Sequence, residues 1–331
     1  MRLRSFPLLL VAALALAADS ARADDLRFFT VGAGDVGGGY YAAANAICDR
    51  VNQVLAGKLR CSPEATPGSL YNLMALRQGQ LDFALVQSDW QRFAYKGQES
   101  FAKSGAITDL RSVMSLYPEA ITVLARRDSG IVAFKDLIGK RVDIGHPASG
   151  RNATARQMLA ALGDAGAFAA ILELPSDTAV DELCAGRIDA TILILGHPNS
   201  TTGHALRDCH AVIVPLDGVA ADLLDKSADY QRSVIPSAAY PGLTGDVATF
   251  AVIATLVTRA GTAADEVNAL VAETLAGLPE LRVIAPLFAG IRPTEMESRG
   301  LTAPLHDGAR SAFARSRSQS ATDLQEGRPR S

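Results

Sequence analysis

The chain has 331 residues, of which 48% are hydrophobic and 20% charged, and its formal net charge is −3 at pH 7. This composition is typical of a folded protein with room for two cores, and it excludes a largely disordered chain. The mildly acidic balance, with basic residues clustered only near the C-terminus, argues against nucleic acid or anionic lipid as a partner.

The N-terminus has the three parts of a secretory signal. Residues 1–4 read MRLR, residues 6–18 form an apolar run, and residues 21–23 read ARA. This pattern predicts export and cleavage after Ala23, which moves the formal charge of the mature chain from −3 to −5. The apolar run is shorter than the roughly 20 residues of a membrane helix, so a retained anchor is the weaker alternative.

A first series of elements alternates strand and helix. Residues 28–31 predict a strand and residues 40–55 a helix; residues 58–66 are extended, and residues 69–79 predict a helix that opens on Ser69. LDFALVQ at residues 81–87 reads as a buried strand, and a short helix follows with Ser88 as its N-cap. This alternation predicts a mainly parallel α/β sheet.

Two long extended runs border a second α/β series. The runs lie near residues 111–127 and 247–259, and both exceed the usual strand of about five or six residues. We expect them to be hinge strands that cross between two lobes. Lobe I is predicted at residues 24–120 and 245–315, lobe II at 121–244, and a flexible tail at 316–331.

A G-x-G-x-x-G pattern occupies residues 32–37, between a predicted strand and a helix. A dinucleotide site also needs a carboxylate about 20 residues further on, and only Asp49, in mid-helix, lies in that region. Backbone N–H groups at a helix start suit any small anion. Further turns at residues 66–69, 87–88, 149–152 and 196–200 carry similar small or hydroxylated residues, so we predict an anion-binding cleft between the lobes.

The four cysteines suggest two disulfides in an exported chain. Cys48 with Cys61 and Cys184 with Cys209 each close a short loop, and this pairing is predicted among the three possible ones. No metal or other cofactor is expected, because the spacings match no standard zinc pattern. The residues considered for a metal were His197, His204, Cys209 and His210.

Five stretches together resemble the TAXI-type solute receptors of tripartite (TRAP) transporters. They are residues 31–48, 64–90, 110–131, 136–150 and 301–310, and the similarity covers roughly residues 27–313. The resemblance implies a two-lobed, type II-like periplasmic binding protein, not an enzyme. Such a protein captures a glutamate-like amino acid or small carboxylate and delivers it to TRAP membrane permease subunits.

The resemblance and the turns together give a set of candidate ligand-binding residues. Arg151 is a candidate ion-pair partner of the ligand, although a solvated surface arginine is the favoured alternative. Gly39 and Ala148 depart from the family pattern, and Pro67 stands where glycine is usual. The predicted ligand-binding residues are Gly38, Gly39, Tyr40, Thr66, Ser69, Gln87, Ser88, Tyr117, Ser149, Gly150, Asn152 and His197.

Two rival functions stay open at this point. An exported hydrolase would use Ser149 or Ser69 as a nucleophile, but neither lies in G-x-S-x-G. An exported receptor that senses the ligand for a signalling partner would share the same cleft and differ only in its partner.

Overall fold

The structure is a computed structural model that describes residues 26–325. The predicted signal at residues 1–23 and the last six residues of the predicted tail lie outside the described residues. Within the described part, the apolar segments of the helices are too short to cross a bilayer.

The first half of the sheet follows the predicted alternation of strand and helix. Strands β2, β1 and β3 lie side by side in parallel, and β3 is buried along its whole length, as its apolar sequence FALVQ requires. The elements of this half are β1 (Arg27–Gly32), α1 (Gly39–Val54), β2 (Leu59–Glu64), α2 (Ser69–Arg77), β3 (Phe83–Gln87) and α3 (Ser88–Lys96).

Two long strands connect this half with the rest of the sheet. They are β4 (Leu110–Arg126) and β10 (Val247–Arg259), with 17 and 13 residues. The two pair with each other in antiparallel fashion as far as Ala120 opposite Ala251. Beyond that point β4 pairs with strands of the second half, so both long strands belong to both halves.

The second half is built around three short parallel strands, β6, β5 and β7, which join the long strands through β7 and β4. The sequence did not assign α7 or β9, which the structure adds between residues 218 and 235. The elements of this half are β5 (Arg141–Asp143), α4 (Gly150–Ala160), β6 (Ala170–Leu172), α5 (Ser176–Cys184), β7 (Ala190–Leu195), α6 (Ser200–Asp208), β8 (Ala211–Val214), α7 (Gly218–Asp225) and β9 (Gln231–Ile235).

The strand order is β2-β1-β3-β10-β4-β7-β5-β6, with β8 paired to β4 and β9 paired to β10. The sheet is therefore mixed: each half has three parallel strands, and the antiparallel long strands run between them. Helices flank the sheet and cover separate apolar clusters in the two halves, one containing Phe29 and Ile47 and another containing Phe134 and Ile192.

The C-terminal helices return to the first half. Val271 and Phe313 share its core with Phe29 and Ile47. The predicted tail is helical as far as Gln325, and Arg317 within it pairs with Glu297. The lobe boundaries themselves stay a prediction. The helices are α8 (Ala264–Ala276), α9 (Leu278–Ile284), α10 (Pro293–Met296) and α11 (Asp307–Gln325).

Both predicted disulfides are present. Cys48–Cys61 joins α1 to β2 within the first core, and Cys184–Cys209 joins the end of α5 to the end of α6. Each bond links elements that are consecutive or nearly so along the chain, with sequence separations of 13 and 25 residues.

Candidate functional site

A cleft lies between the two halves, beside the middle of the long strands. It contains about 850 Å³ of space, part of which is open to solvent. Its walls come from the β1–α1 and β2–α2 turns of the first half and from the starts of α4, α5 and α6 in the second half.

Six helices begin at the cleft wall. Gly38 and Gly68 are the N-cap residues of α1 and α2, and neither has a side chain that could cap the helix. The φ angle of Gly68 is 113°, which glycine adopts without strain. The first-turn N–H groups of a helix attract negative charge, so these ends make the cleft suitable for a carboxylate. The other four starts contribute Gln87, Ser149, Ser176 and Asn199.

Tyr40 and Glu119 meet at the cleft. Tyr40 donates a hydrogen bond from Oη to Oε2 of Glu119 at 2.7 Å, and both side chains are buried. Burial raises the pKa of Glu119 to about 8; the Tyr40 hydrogen bond partly opposes this shift, and Asp89 adds to it. Burial, together with the charge of Glu119, also raises the pKa of Tyr40. A carboxyl group that changes charge near neutral pH therefore lies on the cleft wall.

Tyr117 lies behind two glycines of the cleft wall. A Cβ atom on Gly39 would come within 3.0 Å of Tyr117 Oη, and one on Gly196 within 2.9 Å of the Tyr117 ring. The Tyr117 hydroxyl is buried without a hydrogen-bond partner in the described part of the chain. Glycine at position 39 thus leaves room for the Tyr117 hydroxyl.

Gln87 ends β3 at the cleft. Its side-chain oxygen is buried and has no partner among the described residues. A Cβ atom on Gly150 would come within 2.2 Å of this oxygen. Trp90 Nε1 donates to the carbonyl oxygen of Gly150 at 3.2 Å, which brings α3 and α4 together. Gln87 is therefore a polar group of the first half placed against the second half.

Arg151 is buried, contrary to the surface location favoured from the sequence. It forms an ion pair with Asp143, and it donates from Nε to the carbonyl oxygen of Ile192 at 2.6 Å. Burial lowers its pKa, and the charge of Asp143 opposes this change. Its charge is matched inside the protein even though the residue lies on the cleft wall, so the first-turn N–H groups are the main positive feature for a ligand.

Seven of the twelve predicted ligand-binding residues lie on the cleft wall, and Tyr117 lies directly behind it. The other four use their side chains in hydrogen bonds within the protein. Those on the wall are Gly38, Gly39, Tyr40, Ser69, Gln87, Ser149 and Gly150.

Thr66, Ser88 and Asn152 support the backbone around the cleft. Thr66 donates to the carbonyl oxygen of Ala33 at 3.1 Å, and Asn152 donates to that of Gly145 at 2.6 Å. Ser88 is the first residue of α3 and not its N-cap, which is Gln87; its hydroxyl accepts from the Ile253 N–H at 3.1 Å.

His197 is held between two hydroxyl groups. Its Nε2 lies 2.8 Å from Thr122 Oγ1 and its Nδ1 lies 2.6 Å from Tyr240 Oη. Burial lowers its pKa to about 4, so the ring is neutral at pH 7. His204 lies beside the Cys184–Cys209 disulfide, with its Nε2 atom 3.9 Å from each sulfur.

Sequence reasoning missed the carboxyl groups of the cleft. Glu119 is the only acidic residue in the 17 residues of β4, and an acidic residue in such an apolar run was an available signal. Asp35 lies in the glycine turn, and its carboxylate accepts a hydrogen bond from the Ser176 N–H at 3.1 Å. His146 also lies on the wall.

Comparisons with known proteins agree with this architecture. The periplasmic binding protein BugD has 14% sequence identity and a TM-score of 0.54, over 91% of this chain and 97% of that one. A protein of Bordetella bronchiseptica RB50 has 15% identity and a TM-score of 0.55, over 88% of this chain and 98% of that one. The alkanesulfonate-binding protein SsuA from Xanthomonas axonopodis pv. citri, bound to MOPS, has 16% identity and a TM-score of 0.44, over 87% of this chain and 83% of that one.

The first two likenesses confirm the predicted fold class, an α/β periplasmic binding protein fold with a sheet flanked by helices. A family model described as the NMT1-like family matches residues 31–314, which is most of the sequence. The chain therefore belongs to the NMT1-like family.

Proposed function

We propose that the protein is a periplasmic solute-binding protein that captures a small organic anion in the cleft and delivers it to a membrane permease. The observation that carries this proposal is the convergence of six helix starts on one cleft. The ligand class is a glutamate-like amino acid or a small carboxylate. One carboxylate would accept hydrogen bonds from the first-turn N–H groups near Gly38, Gly39 and Gly150.

Export to the periplasm is part of the proposal. The predicted signal at residues 1–23 supports it, and so do the two disulfides, because such bonds persist in oxidising compartments. BugD, which has the same fold, is a periplasmic binding protein.

The proposed partner is a TRAP-type permease, on the basis of the sequence blocks that resemble TAXI-type receptors. The proposed motion is closure of lobe I (24–120 and 245–315) on lobe II (121–244) about β4 and β10. Closure can be favoured only to the extent that the ligand binds the closed form more tightly. A sensing receptor would close in the same way and would bind a signalling protein instead.

A hydrolytic function has less support. The Ser149 hydroxyl donates to the carbonyl oxygen of His146 at 2.7 Å, and the Ser69 hydroxyl accepts from the Gln87 N–H at 3.2 Å. In residues 26–325, neither hydroxyl donates to an imidazole or a carboxylate, which is the arrangement that activates a serine nucleophile.

The test is thermal unfolding of the mature protein against amino acids and small carboxylates, with native mass spectrometry for a copurified ligand. A ligand at 100 times its dissociation constant adds about 2.7 kcal/mol, which raises the unfolding midpoint by several degrees. A selective shift is expected for one ligand class. No shift with any compound, and no copurified molecule, would contradict the proposal.

A further inference from the structure

The carboxyl group of Glu119 is only partly satisfied by the protein. One oxygen accepts the Tyr40 hydrogen bond at 2.7 Å, and the other has no hydrogen-bond partner within the described chain. The side chain is 4% exposed, and the residue lies on the cleft wall. A buried carboxyl group with a free oxygen is costly unless a partner arrives, and Glu119 lines the space where a ligand would bind.

The protein supplies no cation for this carboxyl group in its described part. The titratable groups that act on it are Tyr40 from α1 and Asp89 from α3, while Tyr117 lies near it on β4. The other titratable groups of the cleft wall are Asp35, His146 and Arg151. Of these, Arg151 is already paired with Asp143. Among the described residues, Glu119 thus has no cation beside it, and the positive feature of the cleft is the set of helix starts on the surrounding walls.

We propose that Glu119 and Tyr40 form an ammonium-binding subsite, so that the ligand is a small amino acid and not a simple carboxylate or dicarboxylate. The amine would ion-pair with Glu119, while the carboxylate would meet the N–H groups at the helix starts. This inference rests on the proposed function, since it assigns the ligand of the same cleft. An amino acid has a positive group for Glu119 and a negative group for the helix starts, whereas a simple dicarboxylate has no positive group.

The alternative is a protonated Glu119 that donates a hydrogen bond to a second carboxylate of the ligand. The two cases differ in proton exchange, because the pKa of Glu119 in the empty cleft is about 8. An ammonium group stabilises the ionised form, so binding at pH 7 releases close to one proton. A second carboxylate stabilises the protonated form, so its binding releases none.

The experiment compares the common amino acids with their desamino analogues, for example L-glutamate with glutarate and L-alanine with propionate. Titration calorimetry in two buffers of different ionisation heat, at pH 6 and pH 7, gives both affinity and proton release. We expect an amino acid to bind at least 100-fold more tightly than its analogue. Its affinity should rise about tenfold between pH 6 and pH 7, because one proton is released.

Glu119→Gln should reduce amino-acid affinity at least 100-fold at pH 7 and abolish proton release. Tyr40→Phe is a second variant that keeps the carboxyl group. It removes a hydrogen bond that lowers the pKa of Glu119, so the rise in affinity should move to higher pH. A purely structural role for Tyr40 would not move the pH profile. Circular dichroism of each variant checks that it folds.

Each possible result decides between the alternatives. Equal or tighter binding of the desamino analogue, or full affinity in Glu119→Gln, would overturn the ammonium subsite while leaving the proposed carboxylate receptor in place. Binding of neither class would overturn both proposals.

Discussion

The carboxylate of Asp35 accepts a hydrogen bond from the backbone N–H of Ser176 at 3.1 Å, although 141 residues separate them. Asp35 belongs to the glycine turn of the first half, and Ser176 is the first residue of α5 in the second half. A carboxylate at the start of a helix satisfies a free N–H group and interacts favourably with the helix dipole. This bond therefore stabilises the arrangement in which the two halves are in contact.

Asp35→Ala should favour separation of the two halves. A hydrogen bond to a charged group contributes about 1.5 kcal/mol, so we expect ligand affinity to fall about tenfold. Titration calorimetry measures the affinity, and small-angle X-ray scattering should show a larger radius of gyration without ligand. Asp177→Ala is the matched control, because Asp177 lies in the first turn of α5 but bonds only within that turn. Equal effects of the two variants would contradict the role of Asp35.

Gln87→Ala should weaken ligand binding by about tenfold or more and change the free energy of unfolding little. The reason is that the side-chain oxygen of Gln87 has no partner in the part of the protein that the structure describes. Calorimetry and urea unfolding measure the two effects. Gln80→Ala, at an exposed position between α2 and β3, is the control and should leave both unchanged. Unchanged affinity in Gln87→Ala would remove this residue from the site.

Arg151→Met should destabilise the protein by about 3–5 kcal/mol, because it leaves the buried carboxylate of Asp143 without its cation. Arg156→Met, one turn further along α4, should cost less than about 1 kcal/mol, since its pair with Glu173 is largely exposed. Urea unfolding of both variants measures the difference. A small loss in Arg151→Met would mean that the Asp143 pair contributes little to the fold.

The buried carboxyl group of Asp89 should make stability depend on pH. Burial raises its pKa from 3.8 to about 7, and Tyr230 Oη donates to it at 3.2 Å. The folded state therefore holds a proton that the unfolded state loses above about pH 4. This contribution to stability is full at low pH and is lost as the pH rises from about 4 to 7.

Asp89→Asn should remove that part of the pH dependence and raise stability above pH 7, by up to about 4 kcal/mol. Urea unfolding from pH 4 to pH 8 measures the profile. Asp49→Asn, at an exposed position on α1, should leave it unchanged. If the free energy of unfolding of Asp89→Asn changed with pH in parallel with that of the wild type, the buried Asp89 would not be the cause of the pH dependence.

The double variant Cys48→Ser, Cys61→Ser should lower the free energy of unfolding by about 2–4 kcal/mol. The disulfide closes a loop between cysteines 13 residues apart and so limits the conformational freedom of the unfolded chain. Urea unfolding measures the loss. Non-reducing peptide mapping should link Cys48 to Cys61 and Cys184 to Cys209. A peptide that links Cys48 to Cys184 would contradict the pairing.

Local patterns predicted most of the fold. The long strands β4 and β10 could be read from continuous apolar runs, and the helix starts from their glycines and serines. Strand β9 could not, because QRSVI is mostly exposed and becomes a strand by pairing with β10. The apolar pattern carries no information about a partner that is distant in sequence.

The site was predicted less completely for a similar reason. Gly38 and Ser149 are N-cap residues, and their positions follow from the sequence immediately around them. The local sequence pattern was therefore enough to predict them. The position of Glu119 depends on its pairing opposite Val252 of β10 and on contact with Tyr40 of α1. His197 was expected to line the cleft, but hydroxyl groups of Thr122 and Tyr240, from other segments, hold its ring.

One core contains residues from both ends of the chain, namely Phe29, Ile47, Val271 and Phe313. This shared core sets an order for folding. During synthesis or export, the N-terminal segments appear long before the C-terminal helices that cover them. The core of the second half also takes residues from β4 and β10, but all of them lie between residues 121 and 252, so this core can form as soon as that continuous stretch is available. The first half must wait for the last segments, with its apolar residues exposed in the interval.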